Sequence, residues 1–305
     1  MHQLDKFKKL FEESSAVKPF SFDYDGEKLD LSSVNGVMER KNDRQFRMIY
    51  DVIPNLLRVI LEVNTFDDFP VIEYTPYVEN IGKTDTGIIS DFSSLDYAVK
   101  VASLLGKQKS NTSNGFDSDH ITIRYFHGAH AANSDFLPFN KEYIFVRSLR
   151  QRYKEIVAQS GRGSSSFLPY IGLDTDSMNG INLAIGWNSS WKFRTEGDGD
   201  SSGRVRCGMK YSHFRLHPGE KLLQPGILLH FREGKSIRDS QNEFRRFILK
   251  HNSPRNSKGE LFKPPVSLLL WGGFETEKQL IVLDIDNLIY SPLLRIELPV
   301  YGKAA

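Results

Sequence analysis

A change of hydrophobic period in the second half of the chain constrains the fold more than any other feature. Residues 181–187 alternate large apolar residues with small or polar ones, as in a strand that has one buried face. The same alternation returns at 205–211 and 227–231, and the Pro-Gly turns at 217–219 and 224–226 separate these segments. The pattern predicts a meander of short antiparallel strands.

The period then becomes helical. Ser240 and Glu243 have the spacing of a capping box, and Phe244 and Phe247 begin an i, i+3, i+4, i+7 apolar series that ends before Pro254. We therefore predict a helix that is capped at Ser240 and stopped by Pro254.

A different kind of strand follows this helix. Residues 266–271 are apolar with almost no alternation, which is typical of a strand that is covered on both faces. A second capping box at 276–279 opens a predicted helix, so that strand, turn and helix form one α/β unit. A parallel sheet needs several such units. We therefore expect other parts of the chain or another chain to cover this strand, or its edges to remain prone to self-association.

The N-terminal half is more strand-like than helical. Apolar residues alternate at 20–24, 57–63 and 121–125, and the polar segment 106–119 reads as an exposed loop. The fold class that we predict is mainly β.

Short motifs along the chain resemble the α-galactosidases of glycoside hydrolase family 36, in the same order and spacing, over roughly residues 20 to 290. The motifs are Phe69-Pro-Val-Ile-Glu73 with Asn80, Tyr125-Phe-His-Gly128, Leu168-Pro-Tyr170, Ala184-Ile-Gly-Trp187 with Trp191-Lys192, Gly208-Met209, His213-Phe214, His217-Pro-Gly-Glu220, Asn242-Glu-Phe-Arg-Arg-Phe247 and Trp271-Gly-Gly273. The resemblance implies a galactose-mutarotase-like β-supersandwich, a linking helix and the truncated first β/α unit of a (β/α)8 barrel.

The resemblance also implies domains and a site. Residues 1–253 would form the sandwich with its closing helix, and residues 254–305 the linker and the incomplete start of the barrel. Trp271 would line the galactose pocket, although it could instead seal the seam between sandwich and barrel. The family hydrolyses α-galactosides with retention through two aspartates on later barrel strands. Where the family continues into an acidic second strand, this chain has residues 291–300 without a recognisable acidic pair.

Two functions follow as expectations. The first is the N-terminal domain of an α-galactosidase that hydrolyses terminal α-galactosyl residues and is inactive alone, because the barrel aspartates are absent. The second is a non-catalytic carbohydrate-binding or oligomerisation module. The expected partners are an α-galactoside or galactose, bound weakly without the barrel, and further copies of the chain in a homo-oligomer. No catalytic residue, cofactor or metal is assigned.

Charge and hydropathy narrow the choice of partners. The 40 Lys and Arg residues nearly balance the 38 Asp and Glu residues, which argues against nucleic acid and against an anionic membrane surface. No stretch approaches the ~20 apolar residues that span a bilayer. Residues 1–9 have no signal-peptide core, so the expected location is cytoplasmic. The single cysteine, Cys207, excludes an intramolecular disulfide and is predicted to face inward.

Several other residues suggest chemistry that the pattern does not favour. The pairs His127/His130 and His213/His217 fall in predicted strands or turns, where metal-ligand spacings do not converge. The Gly-Arg-Gly-Ser segment at 161–166 lacks the lysine of a phosphate loop, and the acidic segment 196–203 lacks the order of a calcium loop. Asp284 and Asp286 read as charges on a helix surface. We predict that Trp187 and Trp191 serve core and loop packing.

Overall fold

The computed structural model describes residues 3–100, 120–129, 132–138, 142–145, 153–175, 178–197, 199, 202–261, 266–269 and 294–297. The chain divides into two compact units, Met1–Arg245 and Arg246–Ala305. The boundary that the sequence suggests between sandwich and linker, after residue 253, stays a prediction.

Strands dominate the described residues. In chain order they are β1 (Ser21–Tyr24), β2 (Glu27–Lys28), β3 (Gly36–Arg40), β4 (Gln45–Ile53), β5 (Leu57–Thr65), β6 (Val71–Asn80), β7 (Ile89–Lys100), β8 (His120–Arg124), β9 (Glu142–Phe145), β10 (Tyr153–Val157), β11 (Tyr170–Asp174), β12 (Gly180–Gly186), β13 (Trp191–Gly197), β14 (Ser202–Met209), β15 (His213–Phe214), β16 (Lys221–Leu223), β17 (Gly226–Arg232), β18 (Val266–Leu269) and β19 (Leu294–Glu297). The helices are α1 (Gln3–Lys8), which a 3-10 turn at Lys9–Phe11 extends, and α2 (Ile237–Phe247), which a π-helical turn at Ile248–Asn252 follows.

The first unit consists of two antiparallel sheets. The small sheet has the order β10-β13-β14-β7-β1-β2, with β15 beside β7. The large sheet has the order β3-β4-β5-β6-β17-β12-β11-β8-β9, with β16 beside β6. Strand β17 thus joins β6 to β12, although these two strands are far apart in sequence. The mainly β class is confirmed.

The predicted alternation places the core. On β12 and β17 the side chains of Ile181, Leu183 and Leu229 are buried, and they belong to one cluster with residues of the small sheet such as Cys207. The strand prediction at 205–211 is wrong at its end, because β14 stops at Met209 and Tyr211 is 78% exposed.

Helix α1 inserts aromatic rings between the two sheets. Its Phe7 is fully buried, with ring centroids 4.9 Å from Tyr97 of β7 and 5.7 Å from Phe231 of β17. Phe11 lies 5.6 Å from Tyr74 of β6. The aromatic contacts of α1 therefore reach both sheets at once.

Helix α2 begins earlier than the capping box predicted. Ser236 is its cap: the Asp239 amide donates to Ser236 Oγ at 3.2 Å, and that hydroxyl donates to the Asp239 carboxylate at 2.6 Å. The cap predicted at Ser240 is therefore wrong. Ser240 lies inside the helix and is fully buried.

The second unit contains a parallel pair of strands. Val266 of β18 pairs with Leu294 of β19, and the register continues to Leu269 and Glu297. Residues 270–293, which include the predicted helix and Asp284 and Asp286, lie outside the described residues. A parallel pair needs a crossover connection of a dozen or more residues, so this arrangement suits the predicted β/α unit. Strand β19 supplies one neighbour for a strand that we expected to lack its companions.

Candidate functional site

The predicted sugar-pocket residue cannot be placed. Trp271 lies outside the described residues, as do Gly272 and Gly273. Its role in lining a galactose pocket remains a proposal.

None of the described histidines belongs to a possible metal site. His217 is exposed, and its Nδ1 lies 2.8 Å from Asp85 Oδ1, which raises the pKa of His217. Among the described residues no group of three or more His, Cys, Asp or Glu side chains could hold a metal ion. His130 lies outside these residues.

The tryptophan and cysteine predictions are confirmed. Trp191 is fully buried, and its indole N–H donates to the Gly163 carbonyl at 2.6 Å, which ties the 161–166 segment to the core. Trp187 packs against the core. Cys207 is buried, and burial raises the pKa of its thiol, so it is not a reactive nucleophile.

A polar network between α2 and the large sheet is the most developed constellation of functional groups. We call it the helix–sheet network. His230 of β17 is at its centre and is fully buried. Its Nδ1 lies 3.0 Å from the Asn182 amide nitrogen, and its Nε2 lies 3.0 Å from Glu243 Oε2. Asn182 also donates to Ser240 Oγ at 2.9 Å. Both residues of the predicted capping box therefore bond to the sheet.

The ionisation states of His230 and Glu243 follow from burial and from their hydrogen-bond partners. Burial lowers the pKa of His230 even though Glu243 favours the charged form, so the neutral imidazole donates from Nε2 and accepts at Nδ1. Burial disfavours the Glu243 carboxylate, but hydrogen bonds from Lys235 and His230 outweigh burial and lower its pKa. Lys235 Nζ lies 2.6 Å from Glu243 Oε1. The Glu243 carboxylate is therefore held ionised.

A second carboxylate continues the network. Asp174 of β11 is buried between two guanidinium groups, with Arg124 Nε at 2.5 Å and Arg232 Nη2 at 2.6 Å. Arg232 also donates to the Lys235 carbonyl at 2.8 Å, which connects Asp174 to the loop before α2. Strands β8, β11, β12 and β17 are thus joined to one helix. Removing one partner of a buried ion pair costs far more than an exposed pair contributes, so this network anchors the helix.

A cleft beside the small sheet holds a third carboxylate. We call it the Asp96 cleft. Its volume is about 520 Å³, and Leu29 and Leu31 line it together with charged side chains. Arg204 donates two hydrogen bonds of 2.7 and 2.8 Å to the Asp96 carboxylate, and Lys28 Nζ lies 3.9 Å from Asp96 Oδ2. Burial raises the pKa of Asp96, but its hydrogen bonds to Arg204 and Ser21 outweigh burial and lower it.

These carboxylates limit what the described residues can catalyse. Retaining glycoside hydrolysis needs a nucleophilic carboxylate and a general acid whose pKa is raised. Asp96, Asp174 and Glu243 are each neutralised by cationic partners, and the pKa values of Asp96 and Glu243 are lowered. Each of these three carboxylates is therefore held by cationic partners and anchors the structure around it.

None of the described helices combines the length and the apolar character that crossing a lipid bilayer requires.

Comparison with known proteins finds matches among solved structures but none among family models or curated sequences. Among solved structures, the glycoside hydrolase family 36 α-galactosidase AgaA from Geobacillus stearothermophilus superposes with a TM-score of 0.56 at 13% identity. The match covers 82% of this chain and 34% of that chain.

Other α-galactosidases give similar values. The enzyme from Lactobacillus brevis has a TM-score of 0.53 at 11% identity and covers 76% of this chain and 31% of its own. The galactosidase domain of the α-galactosidase-sucrose kinase AgaSK has a TM-score of 0.55 at 13% identity, with coverages of 82% and 34%. This chain therefore spans about a third of these structures and shares the fold of the part that it matches.

Proposed function

We propose that this chain, which shares the fold of part of the family 36 α-galactosidases, is the N-terminal sandwich of a glycoside hydrolase of that type, with the start of its catalytic barrel. The whole enzyme would hydrolyse terminal α-galactosyl residues. The shared fold over 82% of the chain is the observation that carries this proposal. Structures of AgaA variants in complex with raffinose and stachyose suggest the substrate class.

Within such an enzyme, residues 1–305 would supply support rather than acid–base chemistry. The charge-neutralised Asp174 and Glu243 favour this role, since neither is a free general acid or nucleophile. Residues 254–305 would begin the barrel, and Trp271 would pack on the apolar face of galactose. The helix–sheet network would hold α2, the helix from which the chain continues into that segment.

A hydrolysis assay tests this division of labour. The purified 305-residue chain should release no chromophore from a chromogenic α-galactoside above the rate of a buffer blank. Two variants, Asp174→Asn and Glu243→Gln, serve as controls for the placement of the carboxylates. Turnover by the wild-type chain that either substitution abolishes would contradict the proposal and place the reaction in the helix–sheet network.

The Asp96 cleft favours a second function, carbohydrate binding without catalysis. Small-molecule sites combine apolar walls with a few polar groups of fixed geometry, as this cleft does. The same protein preparation would be titrated with raffinose by NMR. Shift changes that disappear in Asp96→Asn, in a folded protein that shows no turnover, would favour this binding function.

A further inference from the structure

The outer face of the large sheet is covered differently in its two halves. Over β12 and β17 it carries the helix–sheet network, and α2 packs there with Phe244 stacked on His230 at 5.7 Å. Over β3, β4, β5, β6 and β16 the described residues place no helix on this face. Its side chains there form an ordered pattern.

The centre of this pattern is an apolar row that we call the outer stripe. It crosses five strands in direct cross-strand register, Val37 to Ile49, Ile49 to Ile60, Ile60 to Tyr77, and Tyr77 to Leu223. Directly opposed residues in antiparallel pairs lie on the same face of a sheet, so the stripe is continuous. Val37 is 58% exposed and Leu223 is 44% exposed, so solvent reaches both ends, whereas Ile60 at the centre is 7% exposed and Lys221 Nζ lies 4.5 Å from the centre of the Tyr77 ring.

Charged pairs border the stripe on both sides. On one side Arg47 of β4 lies 2.8 Å from Glu62 of β5. On the other side Arg58 of β5 lies 2.6 Å from Asp51 of β4. On the first side the β4 residue is positive and the β5 residue is negative. On the second side these signs are reversed. All four side chains are partly exposed.

We propose that the outer stripe is an interface between two copies of this chain, related by a two-fold axis that runs along the stripe between the two facing sheets. A continuous apolar row with a polar border is the type of surface that marks a protein interface. Two sheets that pack face to face with aligned strands would bury the stripe of each copy against that of the other. This surface does not depend on the proposed enzymatic function.

The charges select a second copy as the occupant. A two-fold axis along the stripe places each strand opposite the same strand of the partner and exchanges the two sides. Arg47 of one copy then faces Asp51 of the other, and Glu62 faces Arg58. An axis parallel to the strands and centred on β5 would instead place Glu62 opposite itself. The self-complementary pattern therefore fits the first symmetry, and charge complementarity of this kind fixes register at an interface.

A charge exchange provides the test, because it preserves the pairs within each sheet. One variant of the full chain carries Arg47→Glu with Glu62→Arg. The other carries Asp51→Arg with Arg58→Asp. Each keeps its internal salt bridge but brings like charges together in its own homodimer, which should weaken dimerisation by more than about tenfold. An equimolar mixture of the two variants restores opposite charges at every contact, so it should dimerise like wild type.

A matched pair of apolar substitutions tests the stripe itself. Val37→Lys with Leu223→Lys should abolish the dimer. Val17→Lys with Leu261→Lys introduces the same changes at residues that are 59% and 45% exposed but lie outside the stripe, and it should leave the dimer intact. Sedimentation velocity over a concentration series measures all species, and circular dichroism confirms that each variant is folded.

Three results would overturn the proposal: a wild-type chain that is monomeric throughout the series, a dimer that both charge variants retain, or a mixture of folded variants that stays monomeric. Dimerisation that the Val37/Leu223 variant retains would likewise overturn the proposal, because the chain would then associate through another surface.

Discussion

At the residue scale, His230 shows what periodicity can and cannot predict. The alternation at 227–231 correctly placed Ile227 and Leu229 in the core. It also put His230 on the other face, which the pattern treats as solvent, whereas α2 buries it there. Its partners Asn182 and Glu243 come from segments that are distant in sequence. A single sequence contains no signal that joins them, because hydrophobic periodicity reports the face of each segment and not its neighbour.

The buried imidazole predicts a stability change between neutral and mildly acidic pH. Since the pKa of His230 is lowered from 6.5 in the folded state, the unfolded chain takes up a proton first as pH falls. The contribution of His230 is therefore complete above pH 6.5 and is lost as pH falls toward the folded pKa. His230→Gln should reduce the slope of unfolding free energy against pH in this window by up to about 1.4 kcal/mol per pH unit.

Urea unfolding from pH 7.5 to pH 5.5 measures that slope. His217 is the control, because Asp85 raises its pKa and its contribution has the opposite sign, present below pH 6.5 and lost as pH rises. His217→Gln should therefore steepen the loss of stability on acidification, whereas His230→Gln makes it shallower. Equal slopes in His230→Gln and wild type would contradict the burial of a neutral imidazole.

At the scale of elements, the strands were more predictable than the start of the helix. Alternation reports the face of each residue directly, and β5, β8, β12 and β17 lie where it indicated. Ser240 and Glu243 have capping-box spacing, but the sheet uses both side chains. The Ser-x-x-Asp spacing at 236–239 was the better signal. Choosing between the two spacings required knowing that α2 packs on the sheet through Ser240.

Helix α2 provides a direct test of its cap. Ser236→Ala removes the acceptor for the Asp239 amide and should cost about 1 kcal/mol of unfolding free energy. Gln241→Ala, at an exposed position inside the same helix, should change stability by only a few tenths of that value. Thermal and urea unfolding would compare the two variants. A neutral Ser236→Ala would mean that the helix begins elsewhere.

At the scale of the whole molecule, the order of strands in the sheets was beyond the sequence. The meander predicted at 181–231 is wrong, because β12 and β17 pair in the large sheet while β14, which lies between them in sequence, belongs to the small sheet. Such long-range pairing depends on how the faces of many strands combine, and turn signals constrain only adjacent segments. Alternation predicted the mainly β class, and the resemblance to a family supplied the sandwich architecture that these local signals could not.

The position of β17 predicts how the sandwich responds to truncation. Residues 1–225 lack the strand that joins the two halves of the large sheet, so β12 would be left with an open edge and β6 would keep only its short pairing with β16. This fragment should show no cooperative unfolding transition, whereas residues 1–261, which include β17 and α2, should show one. Differential scanning calorimetry would measure both. A cooperative transition in the shorter fragment would show that each half of the sheet folds independently.

The contact between Phe7 and Phe231 has a consequence for synthesis of the protein on the ribosome. Helix α1 is translated before every strand that it contacts, and one of its main partners emerges more than two hundred residues later. Until then Phe7 has its partners Tyr74 and Tyr97 but not Phe231, so its burial between the sheets is incomplete. The nascent chain therefore presents a partly exposed hydrophobic segment until β17 is made, and such transiently exposed surface is prone to aggregation.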